Sequence, residues 1–486
     1  MIATMWPAVW LIWLGSSLNA RPLLTLPLRP DPRGVIASRD TGRLALAAPA
    51  RWDSLTLGDT ARVTVRRSKR ATPRPNADHV RWSVLDTNVA TIDSTGLLRA
   101  LSLGTATVVA RMAHSVAAHL VTVVPFHFVQ ITTGGGTCGL TSQGEATCWN
   151  GAAFARSAGA LPARVNGPPL VAISVAQDYA CSIDSGGDLH CAGGPTRGAG
   201  GPVFFRSISA GEVYACGVAS DSTAYCWGSS EFGQVGVSPL HERCKAYSGE
   251  VPCTTTPLQL APRYRFLDIE ASFYHTCGIL TDHSIVCWGS NSDGQLGDGT
   301  TESSAAPVHV AGDLKFSSVT VGGEHTCGVA MDGRGYCWGS NQLGDLGVGD
   351  DKPEHDVPTA IAGDTRWLSL SATANDGTCG LTTAHKLMCW GWATLNVVDA
   401  SQAHDRCTKK TGDTWPCARR PVPEGDHQFV YLGRSIGASM CALDTQGRPF
   451  CWGGGSGVGN SRYCSYLPLP TLIGGGPTCP KRRVID

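Results

Sequence analysis

Cysteine is the residue type here with the most chemistry to offer, and its spacing is regular. All 20 cysteines of the 486-residue chain lie at or beyond Cys138. Seven pairs share one separation of ten residues: Cys138 and Cys148, Cys181 and Cys191, Cys216 and Cys226, Cys277 and Cys287, Cys327 and Cys337, Cys379 and Cys389, Cys441 and Cys451. Three further pairs fall outside this frame: Cys244 and Cys253, Cys407 and Cys417, and Cys464 and Cys479. Thiol chemistry allows two readings, zinc ligation or disulfides. Structural zinc sites bring ligands two to four residues apart, and no Cys-x-x-Cys occurs. In a β-hairpin, residues equidistant from the turn face each other across about 4.5–5.5 Å, which a disulfide accepts. The spacing therefore predicts seven hairpin disulfides and no metal; the insertion pairs are expected to close their own loops, and Cys464–Cys479 completes the even count. Each ten-residue loop closed this way adds roughly 3 kcal/mol by chain-entropy arithmetic.

The chain has no His-Glu-x-x-His and no Walker loop. Gly455-Ser456-Gly457-Val458-Gly459 reads as a turn. His275 and His325 sit two residues before a first cysteine, where other units carry Gly136, Tyr179, Tyr214, Gly377 and Ser439. No ring of ligands follows, so packing or hydrogen bonding is expected of them. Asp293, Asp298, Asp350 and Asp351 lie on Gly-rich turns without the spacing of a calcium loop, and turn chemistry is expected there too. The expectation is a protein without catalytic residues, metal or cofactor.

Short strands carry these residues. Each first cysteine follows an alternating run such as Ser318–Val321 or Val171–Val175, and a polar turn separates the two cysteines. Trp follows the second cysteine in six of the seven units (Trp149, Trp227, Trp288, Trp338, Trp390, Trp452), with Ala192 the exception. Pro-x-x-aliphatic segments at Pro257–Leu260, Pro307–Val310 and Pro358–Ile361 precede later units. Self-similarity at this period means an array or propeller of small sheets. The segments 273–299 and 323–349 resemble the regulator of chromosome condensation repeat, and the resemblance extends over seven units, about 126–476. It is fullest in units three to five, whereas units one, two and seven lose the Gly-Gln-Leu-Gly turn. The resemblance implies a seven-bladed β-propeller, and the count of seven cysteine pairs agrees with it. The C-terminal segment Pro470–Ile473 is expected to pair beside the N-terminal strand and close the ring.

The first 125 residues differ in composition. Residues 1–20 carry an apolar run from Met5 to Leu14 and end in small and polar residues, like a secretory signal. The run is shorter than the roughly 20 apolar residues of a membrane span, so no transmembrane anchor is expected. Residues 21–33 read as a Pro-rich linker. Alternating runs at Ala61–Val65, Val80–Val84, Ala106–Ala110 and Leu120–Val124 predict an antiparallel sandwich. Within 34–125, Trp82, Val89-Ala90, Ile92-Asp93, Gly96-Leu97, Ala100 and Gly104-Thr105-Ala106 resemble the bacterial immunoglobulin-like domain. That family consists mostly of spacers and adhesion modules. The cluster Arg66, Arg67, Lys69, Arg70 and Arg74 reads as a solvated loop. The fold class expected is all-β, with this sandwich before a propeller over 126–486.

Export and abundant cysteine agree, because disulfides persist outside the reducing cytosol; a secreted or cell-envelope location, extracellular or periplasmic, is expected. With 39 basic and 39 acidic residues the chain has no net field to attract nucleic acid. The repeat family's founder exchanges nucleotide on a nuclear GTPase and binds chromatin; no residue here matches its exchange surface. A secreted bacterial propeller of the same family inhibits β-lactamases through one face, which makes an enzyme inhibitor one alternative. A hydrolase or lyase on a propeller face is another. The favoured expectation is a monomeric, non-enzymatic binding or adhesion protein whose partner is a protein or an envelope polymer. Units three and six carry insertions of shared pattern, His241-Glu242-Arg243-Cys244 with Pro252-Cys253, and His404-Asp405-Arg406-Cys407 with Pro416-Cys417. Tyr247, Lys409, Lys410, Trp415, Arg419 and Arg420 on them are the contact candidates.

Overall fold

The computed structural model describes residues 44–47, 54–56, 60–67, 80–101, 104–112, 115–124, 127–149, 163–193, 203–246, 249–374, 377–392, 398, 403–454 and 466–472. The signal-like segment, the Pro-rich linker, Gly455–Gly459, Tyr247 and the Cys464/Cys479 pair lie outside them. Every regular element among the described residues is a strand, and none of them is a helix long and apolar enough to cross a membrane.

The N-terminal unit stacks short sheets. One runs Ser54–Thr56, Ser115–Val124, Gly104–Met112, Arg81–Val84, and another Thr60–Arg62, Leu97–Ala100, Ala90–Ile92. Inward-facing Leu98, Ala100, Val108, Ala110 and Val121 are fully buried between them. The Asp93 carboxylate accepts from Thr95 N (2.8 Å), Thr95 Oγ1 (2.6 Å) and Leu97 N (2.9 Å), which builds the turn before Gly96. The run expected as one strand at Ala61–Val65 is two. Thr60–Arg62 pairs with Leu97–Ala100, whereas Thr64–Arg67 pairs with Leu44–Ala47. Val63 marks the switch, its N–H donating to Gly96 O at 2.8 Å. Arg66 and Arg67 therefore belong to a strand; Lys69, Arg70 and Arg74 lie outside the described residues.

The second unit is a propeller of seven sheets. The first strands of successive sheets are Phe128–Thr133, Leu170–Val175, Phe205–Ala210, Phe266–Ala271, Phe316–Val321, Trp367–Ala372 and the Phe429–Ser435 stretch. These first strands touch one another and so line the axis. Small hydroxyl residues join them. Ser174 Oγ accepts from Ala210 N (3.0 Å), Ser209 Oγ from Ala271 N (2.7 Å) and Thr320 Oγ1 from Ala372 N (3.1 Å). The second and third strands of each sheet hold the cysteine pair, as in Cys277↔Cys287 and Cys327↔Cys337. The Pro-x-x-aliphatic segments are outer strands of the unit before them: Leu258 lies opposite Cys226 and Val308 opposite Cys287.

Ring closure departs from expectation. The C-terminal strand Tyr466–Leu472 pairs with Pro449–Gly454, placing Thr471 opposite Cys451. It is the outer strand of the seventh sheet, equivalent to the earlier Pro-x-x-aliphatic strands. The first sheet already has its own inner strand. Closure instead comes from parallel pairing of Thr132 and Thr133 with Arg434 and Ser435, and from Phe128 N donating to Gly447 O at 2.8 Å.

Candidate functional site

Nine of the cysteine pairs are disulfides, the seven in the sheets and those at Cys244–Cys253 and Cys407–Cys417. In-sheet pairs bring Cα atoms to 4.0–4.1 Å, the close spacing of directly opposed residues. The two hairpin pairs are wider, 5.7 and 5.9 Å. Among the described residues no cysteine is free, and no group of three His, Cys, Asp or Glu side chains gathers as a metal would need.

One face of the propeller is built by the loops joining third to fourth strands. In units three to five each loop contains Gly-Gln-Val-Gly, Gly-Gln-Leu-Gly or Gly-Asp-Leu-Gly. Val235, Leu296 and Leu346 are fully buried beneath these turns. The Gln295 side chain accepts from Asp293 N at 2.9 Å, folding the loop on itself. Its main-chain carbonyl faces the next blade, where it accepts from Thr326 Oγ1 (2.9 Å) and Trp338 Nε1 (3.0 Å). Gln234 O serves Thr276 and Trp288 in the same way, and Asp345 O serves Thr378 and Trp390. The recurring Trp is thus a clasp between blades. Among the described residues, Trp227 and Trp452, which follow units without the turn, show no such partner. Gly297 and Gly347 have positive φ, and a methyl there would stand 2.6–2.7 Å from the Nε1 atoms of Trp338 and Trp390.

The slot two residues before each first cysteine is a second clasp. Tyr179 Oη donates to Tyr214 O; Tyr214 Oη donates to His275 O (2.8 Å). His275 Nε2 meets Thr326 Oγ1 at 2.7 Å, and His325 Nε2 meets Thr378 Oγ1 at 2.9 Å. Burial drives the pKa of His275 down to about 3, with His325 nearby adding to the fall, and that of His325 down to about 4. Both rings are neutral in the fold, whereas the unfolded chain protonates them near 6.5. Their contribution to stability is complete above pH 6.5 and is lost as pH falls from there through about 4 for His325 and on towards about 3 for His275. The expected slope is about 1.4 kcal/mol per histidine per pH unit within that window. Denaturant midpoints at several pH values check it, and a His275→Gln/His325→Gln double variant should show a flatter acid limb. An unchanged limb would refute the assignment.

Two of the four aspartates, Asp298 and Asp350, show turn chemistry. Asp298 Oδ1 accepts from Thr300 N (3.0 Å) and Thr300 Oγ1 (2.8 Å). Asp350 Oδ1 accepts from Lys352 N at 3.3 Å and lies 3.2 Å from His355 Nε2. Asp351 is exposed, and Asp293 is an ion-pair partner described below.

On the same face stand the two stapled hairpins. Glu242–Ala246 pairs with Gly249–Gln259 in unit three, and Asp405–Thr408 with the start of Thr414–Leu432 in unit six. The shared acidic residue is structural in both. Glu242 Oε2 accepts from Thr255 N (2.8 Å), and Asp405 Oδ2 from Arg419 N (2.9 Å). The unit-six hairpin leans over units four and five. Lys410 N donates to Gln342 Oε1 (2.8 Å), and Lys410 Nζ pairs with Asp293 (3.0 Å) and Glu354 (2.9 Å). A cleft of about 400 Å³ lies beneath, lined in part by Ser292, Glu324, Gln342 and Lys409.

The contact candidates divide accordingly. Lys410 anchors the hairpin, and its charge is already matched. Arg419 is held through its N–H by Asp405 and through Nη2 by Arg406 O at 2.9 Å. Trp415 is 39% exposed, with its ring 5.8 Å from that of Trp392; Lys409 Nζ lies 5.2 Å from the Trp392 centroid. Arg420 is exposed and lies over the turn at Gly349. Trp392 was missed from sequence because it falls just after the repeated Cys-Trp-Gly and reads as part of that frame.

A buried charge pair crosses the ring. Arg434, in the closing strand of blade seven, donates through Nε to Glu270 Oε1 at 2.5 Å. Its terminal nitrogens reach Ile208 O (3.1 Å) and Ile269 O (2.9 Å) on blades three and four. Burial raises the Glu270 carboxyl to about 7 against the opposing pull of Arg434.

Comparisons with known proteins agree with this architecture. A model described as regulator of chromosome condensation (RCC1) repeat matches residues 282–329, and a second of the same description matches 205–234 and 266–295. A bacterial Ig-like domain (group 2) model matches 60–116. Among solved structures, yeast RCC1 (Prp20), crystallised with Kap60 bound, is similar at a TM-score of 0.57 and 15% identity over 72% of this chain and 89% of that one. Human WBSCR16 is similar at 0.53 and 14% identity over 64% and 83%. At such identity the likeness shows the fold alone. No curated protein sequence matches the chain. The disulfide-rich propeller has the character of an extracellular binding fold, and its cystines are consistent with an extracellular or envelope location. The chain thus carries regulator of chromosome condensation (RCC1) repeats, folded as a propeller, behind a bacterial Ig-like domain.

Proposed function

We propose that the protein is a secreted or envelope-exposed, non-enzymatic binding protein that engages a macromolecular partner through the face bearing its stapled hairpins. The observation that carries this reading is the unit-six hairpin, closed by Cys407–Cys417 and anchored by Lys410 on Asp293 and Glu354 while Trp415 stays exposed. A hairpin ordered in advance loses little conformational entropy on association. An exposed tryptophan packed against a second one supplies rigid apolar contact area.

The test is capture by the mature, oxidised protein from envelope fractions and secreted proteins, repeated with a Lys409→Ala/Trp415→Ala variant. Loss of a captured partner, by about tenfold or more in affinity as expected of an aromatic anchor, supports the reading. Retention of every captured partner at unchanged affinity would overturn it, as would a clear hydrolase activity in the purified protein.

A further inference from the structure

The two hairpins repeat more than their cysteines. In each, the residue before the first cysteine is an arginine, Arg243 or Arg406. Both are exposed, and among the described residues neither forms an ion pair. Register explains why. Arg243 lies directly opposite Pro252, and Arg406 directly opposite Pro416. A charged residue opposite would satisfy the arginine across the strands; proline offers neither charge nor N–H. The neighbouring carboxylates are committed elsewhere, Glu242 to Thr255 and Asp405 to Arg419 N. Asp413 accepts from Thr411 Oγ1 at 2.9 Å. The same local design thus places an unmatched guanidinium on a disulfide-closed strand in two blades of one face. Residues 403–420 hold five Lys or Arg against two Asp, and with Lys410 matched by Asp293 and Glu354 a net positive charge still surrounds Arg406.

We infer that Arg243 and Arg406 are paired recognition points for an acidic protein segment, an inference that rests on the proposed binding role of this face. Guanidinium forks match carboxylates bidentately and lose little freedom when their strand is already fixed. Engaging both hairpins with one acidic chain makes the second contact intramolecular and raises avidity. A shorter segment would bind through blade six alone, where Arg420 is also exposed.

Binding of the full-length, oxidised protein to immobilised poly-L-glutamate, with heparin in a parallel arm, tests this. The expected result is binding to polyglutamate at low salt that weakens steadily as salt rises. Arg406→Glu should lower affinity by about tenfold, the worth of one charge-assisted hydrogen-bonded contact. Arg243→Glu should add to the loss, and Arg406→Lys should keep part of the binding. Both residues are exposed, so unfolding midpoints of the variants should match the parent. Absence of polyglutamate binding, affinity unchanged in both reversals, or retention on heparin alone would overturn the inference. A partner that is lost with Lys409→Ala/Trp415→Ala but retained with Arg243→Glu/Arg406→Glu would leave the binding face standing and remove only the acidic partner.

Discussion

Replacing Arg434 with methionine should destabilise the propeller by about 3–5 kcal/mol, the usual cost of stranding one member of a buried ion pair. Arg434 meets Glu270 and two main-chain carbonyls, on blades that stand opposite its own in a ring of seven. Without the guanidinium, Ile208 O and Ile269 O lose charged donors and the Glu270 carboxylate loses its counter-ion. Glu270 can escape part of the cost by taking up a proton, since burial already raises its pKa to about 7. The sign follows from that direction. Removing Arg434, which pulls that pKa down, shifts it further upward. The folded variant would hold a proton that the unfolded chain releases near 4.5, so its stability should fall as pH rises above that value and past 7, more steeply than the parent's. The deficit relative to the parent should therefore be larger at pH 8 than at pH 6. A second variant, Arg434→Met/Glu270→Leu, should recover most of the loss, because replacing both charges by apolar side chains removes the desolvation cost. Denaturant unfolding of the three proteins at both pH values decides the matter. A single variant as stable as the parent, or a deficit independent of pH, would show that the pair carries no such weight.

That pair also marks what could not be read beforehand. Arg434 and Glu270 are 164 residues apart, and no local pattern announces that two strands will face each other across a channel. The same holds for Lys410 with Asp293, 117 residues away. From sequence Lys410 looks like one more exposed cation, and only the lean of the hairpin over two neighbouring blades turns it into an anchor. Local pairings, by contrast, were legible. Cys327 and Cys337 face each other because a hairpin turn fixes its own register, and their separation of ten states that register directly. The Gly-Gln-Leu-Gly turn and the Trp after each second cysteine were visible as repeats, but their joint purpose was not. Gln295 O and Trp338 belong to different units, so their contact appears only when blades are placed side by side. The C-terminal strand was misplaced for a related reason. Pairing on the outer edge of blade seven and pairing beside the first blade demand the same alternating, Pro-containing strand, and register alone separates them. Arg243 and Arg406 were present in the repeated motif from the start. Their lack of a cross-strand partner became visible only with the prolines placed opposite them.

Reduction should remove more stability than any single substitution. Eight of the nine disulfides close loops with a sequence separation of ten, and Cys244–Cys253 spans nine. Loops of this size are each worth roughly 2–3 kcal/mol in the chain-entropy model. Nine of them total on the order of 20 kcal/mol, against a typical net stability of about 5–15 kcal/mol. The reduced chain should therefore fail to fold. The native protein should nonetheless resist reductant, because both cysteines are fully buried in six of the seven in-sheet pairs, Cys138–Cys148 and Cys327–Cys337 among them. Cys191 and Cys244 are the partly exposed ones, so Cys181–Cys191 and Cys244–Cys253 should be reduced first under native conditions. Reduction in denaturant, alkylation and removal of the denaturant then separate kinetic protection from equilibrium stability. Tryptophan fluorescence reports the outcome, since Trp288, Trp338 and Trp390 are completely enclosed between blades in the folded state. The expected spectrum is that of exposed indole, without a cooperative transition on renewed denaturation. A cooperative transition near the midpoint of the oxidised protein would mean that the Trp and hydroxyl clasps between blades hold the ring without their cystines.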